Sequence, residues 1–188
     1  MDDSSKKNRL LKSAYELFTK KGINKTTIQD IVDAARVAKG TFYLYFEDKY
    51  HIQEELIISK SEEIFDSAID ELNKHKIKKF DDQIIYVVDY IIDTLASEPQ
   101  ILNFISKDLS LGLYQEKINN ILGGKESKLY TMFVNGAKEN NIKRADVVLF
   151  MIVEFVSATV FSVINKKIDI TIEEFKPYLH KVIKDMLK

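Results

Sequence analysis

Residues 39–45 (KGTFYLY) place a lysine, a glycine, a threonine and two tyrosines within seven consecutive positions. Lysine and tyrosine can donate hydrogen bonds to phosphate oxygens, and a tyrosine ring can also pack on a sugar or a thymine methyl group. Gly40 costs about 1 kcal/mol of helix propensity relative to alanine, but it lets the backbone approach a base edge. Taken singly, each residue has an equally good structural explanation. Their combination favours contact with a nucleic acid.

Two helices are predicted to precede and position this segment. Residues 6–21 carry one apolar stripe at helical spacing, formed by Leu10, Ala14, Leu17 and Phe18. Gly22 suits the left-handed position after a helix. The spacing of Thr26 and Gln29 predicts a capping box, which opens a second, short helix. Its core face comprises Ile28, Ile31, Val32 and Ala35.

A third helix is predicted over residues 38–45, after a tight turn at Arg36 and Val37. Its inward positions are Val37, Phe42 and Phe46. Its outward positions are Lys39, Gly40, Thr41, Tyr43 and Tyr45. Two short helices joined by a tight turn, the second with a basic and aromatic outer face, are typical of a DNA-reading helix-turn-helix.

The charge distribution agrees with a polyanionic partner for this region. The chain of 188 residues has a net charge of −1, yet residues 4–50 hold ten lysines and arginines against five acids. A basic N-terminal part on a mildly acidic remainder suits DNA binding by the N-terminal part alone, although chance clustering of surface lysines would give the same count.

Composition and motifs argue against other classes of protein. There is no cysteine, which excludes a disulfide framework and a thiolate zinc site. The histidines His51, His75 and His180 are far apart, and no metal-binding, nucleophile, phosphate-loop or dinucleotide motif is present. We therefore expect no metal, no cofactor and no enzymatic activity. No signal-peptide pattern is found, and the longest apolar stretch, residues 147–163, is short and polar for a membrane span, so we expect a cytoplasmic protein without membrane contact.

The N-terminal pattern resembles the DNA-binding domain of the tetracycline-repressor (TetR) family. The matching positions are Leu10, Ala14, Leu17, Phe18, Gly22, Thr26, Thr27, Ile31, Ala35, Val37, residues 39–46 (KGTFYLYF) and Lys49. The resemblance implies a three-helix DNA-binding domain at residues 1–48. It also implies a larger helical domain at residues 49–188 for ligand binding and dimerisation.

With this resemblance, we expect double-stranded operator DNA to contact eight residues. Lys39 and Gly40 are expected at base edges in the major groove. Thr41 is expected at either a base or a phosphate. The expected phosphate contacts are Thr26, Thr27, Tyr43, Tyr45 and Lys49.

Two residues depart from the family pattern. Arg36 stands where the family usually has a turn glycine, so it either tolerates the dihedral angles of the turn or alters the turn, and it could add a phosphate contact. Ala38 stands where a serine is common, so the cap of the third helix is expected to be weaker or to be supplied by another group.

Downstream of residue 48, the apolar patterning predicts helices only, giving an all-α protein of about nine helices. Asp48 can cap a fourth helix over residues 49–73, long enough at roughly 37 Å to belong to both domains and to act as a lever. The polar, basic residues 74–80 are predicted to form a solvated linker; the alternative is a second DNA contact. Asp81 or Asp82 is expected to cap a fifth helix ending near Ser97.

Four further helices are expected at residues 99–109, 125–138, 144–165 and 172–187. Pro99 suits a helix start. Thr171 and Glu174 have capping-box spacing, and Pro177 either kinks the last helix or begins it. The resemblance implies a homodimer through the last two helices, which also carry more apolar surface than a monomer should expose.

The aromatic residues of the C-terminal domain either form its core or line a cavity for a small-molecule effector of unknown identity, as the resemblance implies. The candidate ligand-binding residues are Tyr86, Tyr90, Phe104, Tyr130, Phe133 and Glu154. Glu154 meets a ligand, pairs across a subunit interface or lies at an exposed edge.

These features together predict a ligand-responsive repressor that binds a palindromic operator as a homodimer, with the effector tilting the fourth helix. One alternative is a TetR-like DNA-binding protein regulated by a protein partner. Another is a helical small-molecule-binding or enzymatic protein that does not use DNA.

Overall fold

A computed structural model of the chain describes residues 3–105 and 127–188. In these two ranges the chain forms nine helices and no strand, which confirms the predicted all-α class. The helices are α1 (Asp3–Lys21), α2 (Ile28–Ala35), α3 (Lys39–Tyr43), α4 (Lys49–Leu72), α5 (Phe80–Ser97), α6 (Pro99–Ile105), α7 (Lys128–Glu139), α8 (Ala145–Ile164) and α9 (Ile172–Met186).

The chain divides into two compact units, Met1–Ser59 and Lys60–Lys188. The division falls inside α4, whereas the sequence placed the domain boundary before this helix, at residue 48. The first turns of α4 therefore belong to the N-terminal unit and its remainder to the C-terminal unit.

The core of the N-terminal unit is built from the apolar faces that the helical periodicity predicted. Between residues 10 and 46, the buried apolar side chains are Leu10, Ala14, Phe18, Ile31, Val32, Ala35, Phe42 and Phe46. After α1, Gly22 has φ +79° and donates its N–H to the carbonyl of Phe18, as expected for a left-handed residue that ends a helix. Leu17 and Val37 are only half-buried.

The cap of α2 differs from the prediction by one residue. Thr27 is the N-cap, and its hydroxyl accepts the N–H of Asp30 at 3.1 Å while the Asp30 carboxylate accepts the N–H of Thr27 at 2.8 Å. The predicted pair of Thr26 and Gln29 is wrong. The hydroxyl of Thr26 is buried and donates to the carbonyl of Gly22 at 2.8 Å, so it is engaged in the turn before the helix.

Two predicted starts in the C-terminal unit are also corrected. The fifth helix begins at Phe80, before Asp81 and Asp82, and its N-cap Lys79 makes no side-chain capping bond. The two aspartates lie in the first turn, and Asp82 accepts a hydrogen bond from Lys184 at 2.7 Å. In the seventh helix the N-cap is Ser127, whose hydroxyl accepts the N–H of Tyr130. Residues 106–109 and 125–126 of the predicted helices lie outside the described ranges.

Several other helix ends agree with the sequence. Asp48 caps α4 by accepting the N–H groups of Tyr50 and His51 at 2.8 and 2.9 Å. Thr171 and Glu174 form the predicted capping box of α9. Pro177 lies inside α9, which excludes the alternative that it begins the helix.

Three polar bridges join α9 to α5 within the C-terminal unit. Lys176 bonds Asp93 at 2.5 Å, His180 bonds Asp89 at 2.7 Å, and Lys184 bonds Asp82 at 2.7 Å. The three α9 residues are spaced four apart, so they share one face of that helix. The bridge from Lys184 lowers the pKa of the Asp82 carboxyl group, and the pKa of Lys184 is raised in turn.

Among the residues described, one helix, α8, has the length and apolar composition needed to cross a membrane. Core helices of water-soluble proteins meet the same criterion. Seven of its side chains are buried, and Val147, Phe150 and Met151 are exposed. The predicted lack of membrane contact stays a prediction.

Candidate nucleic-acid interface

The exposed side of α3 presents a compact set of chemically distinct groups. Gly40, Tyr43 and Leu44 are spaced i, i+3, i+4 and so share one face, with Lys39 exposed beside them. The exposed fractions are 53% for Tyr43 and 77% for Leu44. On the opposite side, Phe42 is fully buried. The core therefore fixes which face of this short helix points to solvent.

Gly40 leaves open space on that face. A Cβ atom built at this position would have no atom within 4 Å. Packing inside the protein thus gives no reason for glycine here, and its backbone is accessible to an external partner. Thr41 and Tyr45 flank the face and are half-exposed. Ala38 makes no side-chain capping bond, as the sequence predicted.

Asp30 links the end of α1 to the start of α2. Its carboxylate accepts hydrogen bonds from the ammonium of Lys21 and the N–H of Thr27, both at 2.8 Å. The Lys21 ammonium, followed by the hydrogen bonds from Thr27, holds the pKa of Asp30 well below its ordinary value. The ionised carboxylate therefore contributes to the relative placement of the two helices.

Thr26 and Thr27 have different roles in the structure. Thr26 is fully buried, and its hydroxyl donates to the carbonyl of Gly22, which argues against the phosphate contact predicted for this residue. Thr27 is exposed at the N-terminus of α2, where free N–H groups and the helix dipole favour an anion. The phosphate contact predicted for Thr27 stays a prediction.

Lys49, the first residue of α4, is bonded to the turn that precedes α2. Its ammonium donates to the carbonyl oxygens of Ile23 at 2.9 Å and Thr26 at 3.1 Å. The carbonyl of Ile23 also accepts the N–H of Thr26, so the lysine ties the start of α4 to a turn that is itself hydrogen-bonded. The lysine has a structural role that the sequence did not reveal, and its phosphate contact stays a prediction.

Arg36 forms the turn between α2 and α3 in the left-handed conformation, with φ 53° and ψ 51°. Its N–H donates to the carbonyls of Asp33 and Val32, which closes α2. The arginine adopts a conformation that favours glycine. The turn is therefore formed as with glycine, but the left-handed backbone of a residue with a Cβ raises its conformational free energy. Its side chain is exposed.

Two exposed residues of this unit were not among the predicted contacts. Leu44 and Tyr50 are 77% and 56% exposed. The sequence analysis assigned Leu44 to neither face of the third helix, although its helical spacing from Gly40 places it on the outward face.

The C-terminal unit contains a small apolar cavity. Its volume is about 30 Å³, and its lining includes Phe65 of α4, Phe133 of α7 and Val156 of α8. Of the six candidate ligand-binding residues, Phe133 lines this cavity. The other five lie outside its described lining and are half-buried: Tyr86, Tyr90, Phe104, Tyr130 and Glu154. The Tyr86 ring packs on His75, with ring centres 4.8 Å apart.

An apolar surface remains exposed on the last two helices of the same unit. Val147, Phe150 and Met151 are exposed on α8, and Tyr178 and Val182 on α9. The three residues of α8 are spaced i, i+3, i+4 and the two of α9 are spaced i, i+4, so each helix presents one apolar stripe to solvent.

Comparison with known proteins agrees with the N-terminal geometry. The sequence profile of "Bacterial regulatory proteins, tetR family" matches residues 10–56. An HTH-type transcriptional regulator, YvdT of Bacillus subtilis (strain 168), is 36% identical over 48% of this chain and 43% of its own length. The HTH-type transcriptional repressor KstR2 of Mycolicibacterium smegmatis is 30% identical over 38% of each chain. The alignments thus span less than half of either relative.

The fold is similar over nearly the whole chain to a solved regulator. The transcriptional regulator FadR from Bacillus subtilis in complex with stearoyl-CoA aligns with a TM-score of 0.62 and 20% identity, covering 94% of this chain and 96% of that one. At this identity the likeness concerns the fold.

Proposed function

The chain belongs to the TetR family, and from this premise we propose that it is a DNA-binding repressor whose N-terminal unit reads a palindromic operator. The observation that carries the proposal is the exposed face of α3, where Lys39, Gly40 and Tyr43 are open to solvent while Phe42 is buried in the core. Lys39 and the Gly40 backbone approach base edges in the major groove. Thr27, Tyr43 and Tyr45 contact phosphates, and Thr41 contacts either a base edge or a phosphate.

A homodimer supplies the second half-site. The exposed apolar stripes of α8 and α9 support an interface formed by these two helices, because a monomer seldom leaves two adjacent apolar stripes in water. Two-fold symmetry of the protein would match a palindromic operator. Such a regulator works on chromosomal DNA in the cytoplasm.

The proposed effector is a small molecule with an apolar chain. The cavity lining is entirely apolar, which suits hydrocarbon and offers no partner to a polar head group. The fold-related FadR was crystallised with stearoyl-CoA, which supports an acyl compound as the first probe. Phe65 lies on α4 and lines the cavity, so a ligand that displaces Phe65 would move this helix, whose first residue is Lys49.

A second candidate, regulation by a protein partner, is favoured by the size of the cavity. At about 30 Å³ it holds roughly one water molecule, whereas ligand sites commonly measure about 300–1,000 Å³. Binding of a ligand therefore requires the cavity to open, whereas binding of a partner protein to the surface does not. A rise in the thermal midpoint on adding stearoyl-CoA, together with weaker DNA binding, would support the ligand; no change with acyl compounds would support the partner.

The DNA proposal is tested by selection from a random duplex library, followed by binding measurements with the enriched sequence. We expect a palindromic sequence, an affinity that falls steeply with salt, and weaker binding by Lys39→Ala and Tyr43→Ala. Lys39→Ala should keep the thermal midpoint of the wild type because Lys39 is exposed. Tyr43→Ala also loses the edge contact of its ring with Phe42, so its binding is measured well below its own thermal midpoint. Weak binding with no sequence enrichment would contradict the proposal.

A further inference from the structure

Building on the proposed function, we propose that Leu44 recognises a thymine by packing on its C5-methyl group in the major groove. The residue would add sequence specificity that the hydrogen-bonding groups of α3 do not supply. The inference concerns one apolar contact in each operator half-site.

The first observation is the position of the side chain. Leu44 is 77% exposed, and it lies on the same face as Gly40 and Tyr43. The core holds Phe42 and Phe46 on the opposite side, at 0% and 1% exposure, so this face cannot rotate inward. A groove that accepts the Gly40 backbone would therefore receive Leu44 as well.

The second observation is where exposed apolar side chains occur. In the described part of the N-terminal unit, the exposed large apolar side chains are Tyr43, Leu44 and Tyr50, all within eight positions of the chain. Each tyrosine has a hydroxyl that can reach a phosphate, whereas leucine has no hydrogen-bonding group. Leu44 gains free energy at a DNA surface only by covering an apolar group.

The third observation is the charge of the N-terminal part of the chain. Residues 4–50 contain ten lysines and arginines against five acids, and Lys39 is exposed on α3. A net basic unit that exposes an apolar side chain suits DNA better than an apolar protein partner. In the major groove the C5-methyl group of thymine is the apolar feature of the base edges, and its removal leaves the hydrogen-bonding pattern unchanged. Thymine is therefore the base that fits Leu44.

The test uses the enriched duplex and a set of copies in which one symmetric pair of thymines at a time is replaced by deoxyuridine, which lacks the methyl group. For wild-type protein, replacing the symmetric pair of thymines that Leu44 contacts should weaken binding by about fourfold per half-site, or about 15-fold in all. This is the effect of losing one buried methyl group in each half-site. Leu44→Ala should bind the thymine duplex more weakly and should lose the difference between thymine and uracil at that pair.

Leu44→Asn is a second variant of similar shape that replaces the apolar end with an amide, and it should also lose the difference. Lys39→Ala is the matched control from the same face, since it should weaken both duplexes while keeping their ratio. The two residues changed, Leu44 and Lys39, are both exposed, and equal thermal midpoints of the three variants verify the fold.

Equal wild-type affinity for every uracil duplex would overturn the inference while leaving DNA binding intact. A uracil effect that persists in Leu44→Ala would overturn it too, because another residue would then read the methyl group. Failure to enrich any duplex would refute the proposed function itself and this inference with it.

Discussion

The ammonium of Lys49 lies 2.9 Å from the carbonyl oxygen of Ile23, and it donates to the carbonyl of Thr26 at 3.1 Å. One side chain thus connects the start of α4 to the turn that enters α2. In the proposed mechanism, a displacement of α4 pulls on this turn and moves the helices that meet DNA.

Replacing Lys49 with methionine should lower the free energy of unfolding of the protein by about 1–2 kcal/mol, because two carbonyl groups lose a charged donor. Chemical denaturation measures the loss. Lys25→Met is the matched control, since Lys25 is an exposed lysine of the same turn. Equal effects of the two changes would mean that charge, rather than the two hydrogen bonds, accounts for the loss.

Acid should destabilise the N-terminal unit through Asp30. The pKa of this carboxyl group is lower in the folded protein than in the unfolded chain, so the unfolded chain binds the proton more readily. The stabilisation is complete above the ordinary carboxyl pKa of about 4 and is lost as the pH falls below it. Asp30→Asn should reduce stability at pH 7 and flatten its dependence on pH at the acid end.

The control for that measurement is Asp33→Asn on the same helix, whose carboxylate accepts a hydrogen bond from the neutral amide of Gln29 at 2.8 Å. Thermal midpoints measured from pH 7 to pH 3 compare the two variants. If Asp30→Asn kept the full acid sensitivity of the wild type, the bonds of Asp30 would not be its source.

Arg36→Gly should raise the free energy of unfolding by about 1 kcal/mol, because glycine adopts φ 53° without the penalty that a Cβ imposes. Arg36→Ala removes the same guanidinium group but keeps the Cβ, so it should show no comparable gain. Urea titrations of the two variants separate the backbone effect from the side-chain effect. Equal stabilities would show that the strained turn is not the cause.

The apolar stripe of α8 gives a prediction about assembly. Met151→Glu places a charge in the proposed interface and should weaken the dimer by at least about tenfold, seen by sedimentation at micromolar concentration. Asn135→Glu, at an exposed position of α7, is the control and should leave the mass unchanged. A Met151→Glu variant with the wild-type mass would place the dimer interface elsewhere.

The sequence predicted most of what local patterns determine. The apolar stripes that bury Leu10, Ile31 and Phe42 follow from helical spacing, and Gly22 follows from the need for a left-handed residue. The predicted cap of α2 was wrong by one residue because each of two adjacent threonines is followed, three residues later, by a side chain that can accept a hydrogen bond. Which of them turns inward depends on the fit of the Thr26 hydroxyl to Gly22.

What the sequence could not predict depends on distant partners. Asp82 was expected as a cap, yet it pairs with Lys184, which follows it by 102 residues. Similarly, Lys49 matched a phosphate-binding position, whereas its two carbonyl partners lie 26 and 23 residues earlier. Such contacts depend on how helices pack, and no periodicity encodes them.

The central claim, that the exposed face of α3 enters the DNA groove, is tested most directly by Gly40→Ala. The added methyl group has open space in the free protein, so stability should hold or rise by about 0.5–1 kcal/mol. On DNA the methyl group would separate the backbone from the base edge. Fluorescence anisotropy with the enriched duplex should show affinity at least about tenfold weaker; wild-type affinity in a fully folded variant would contradict the claim.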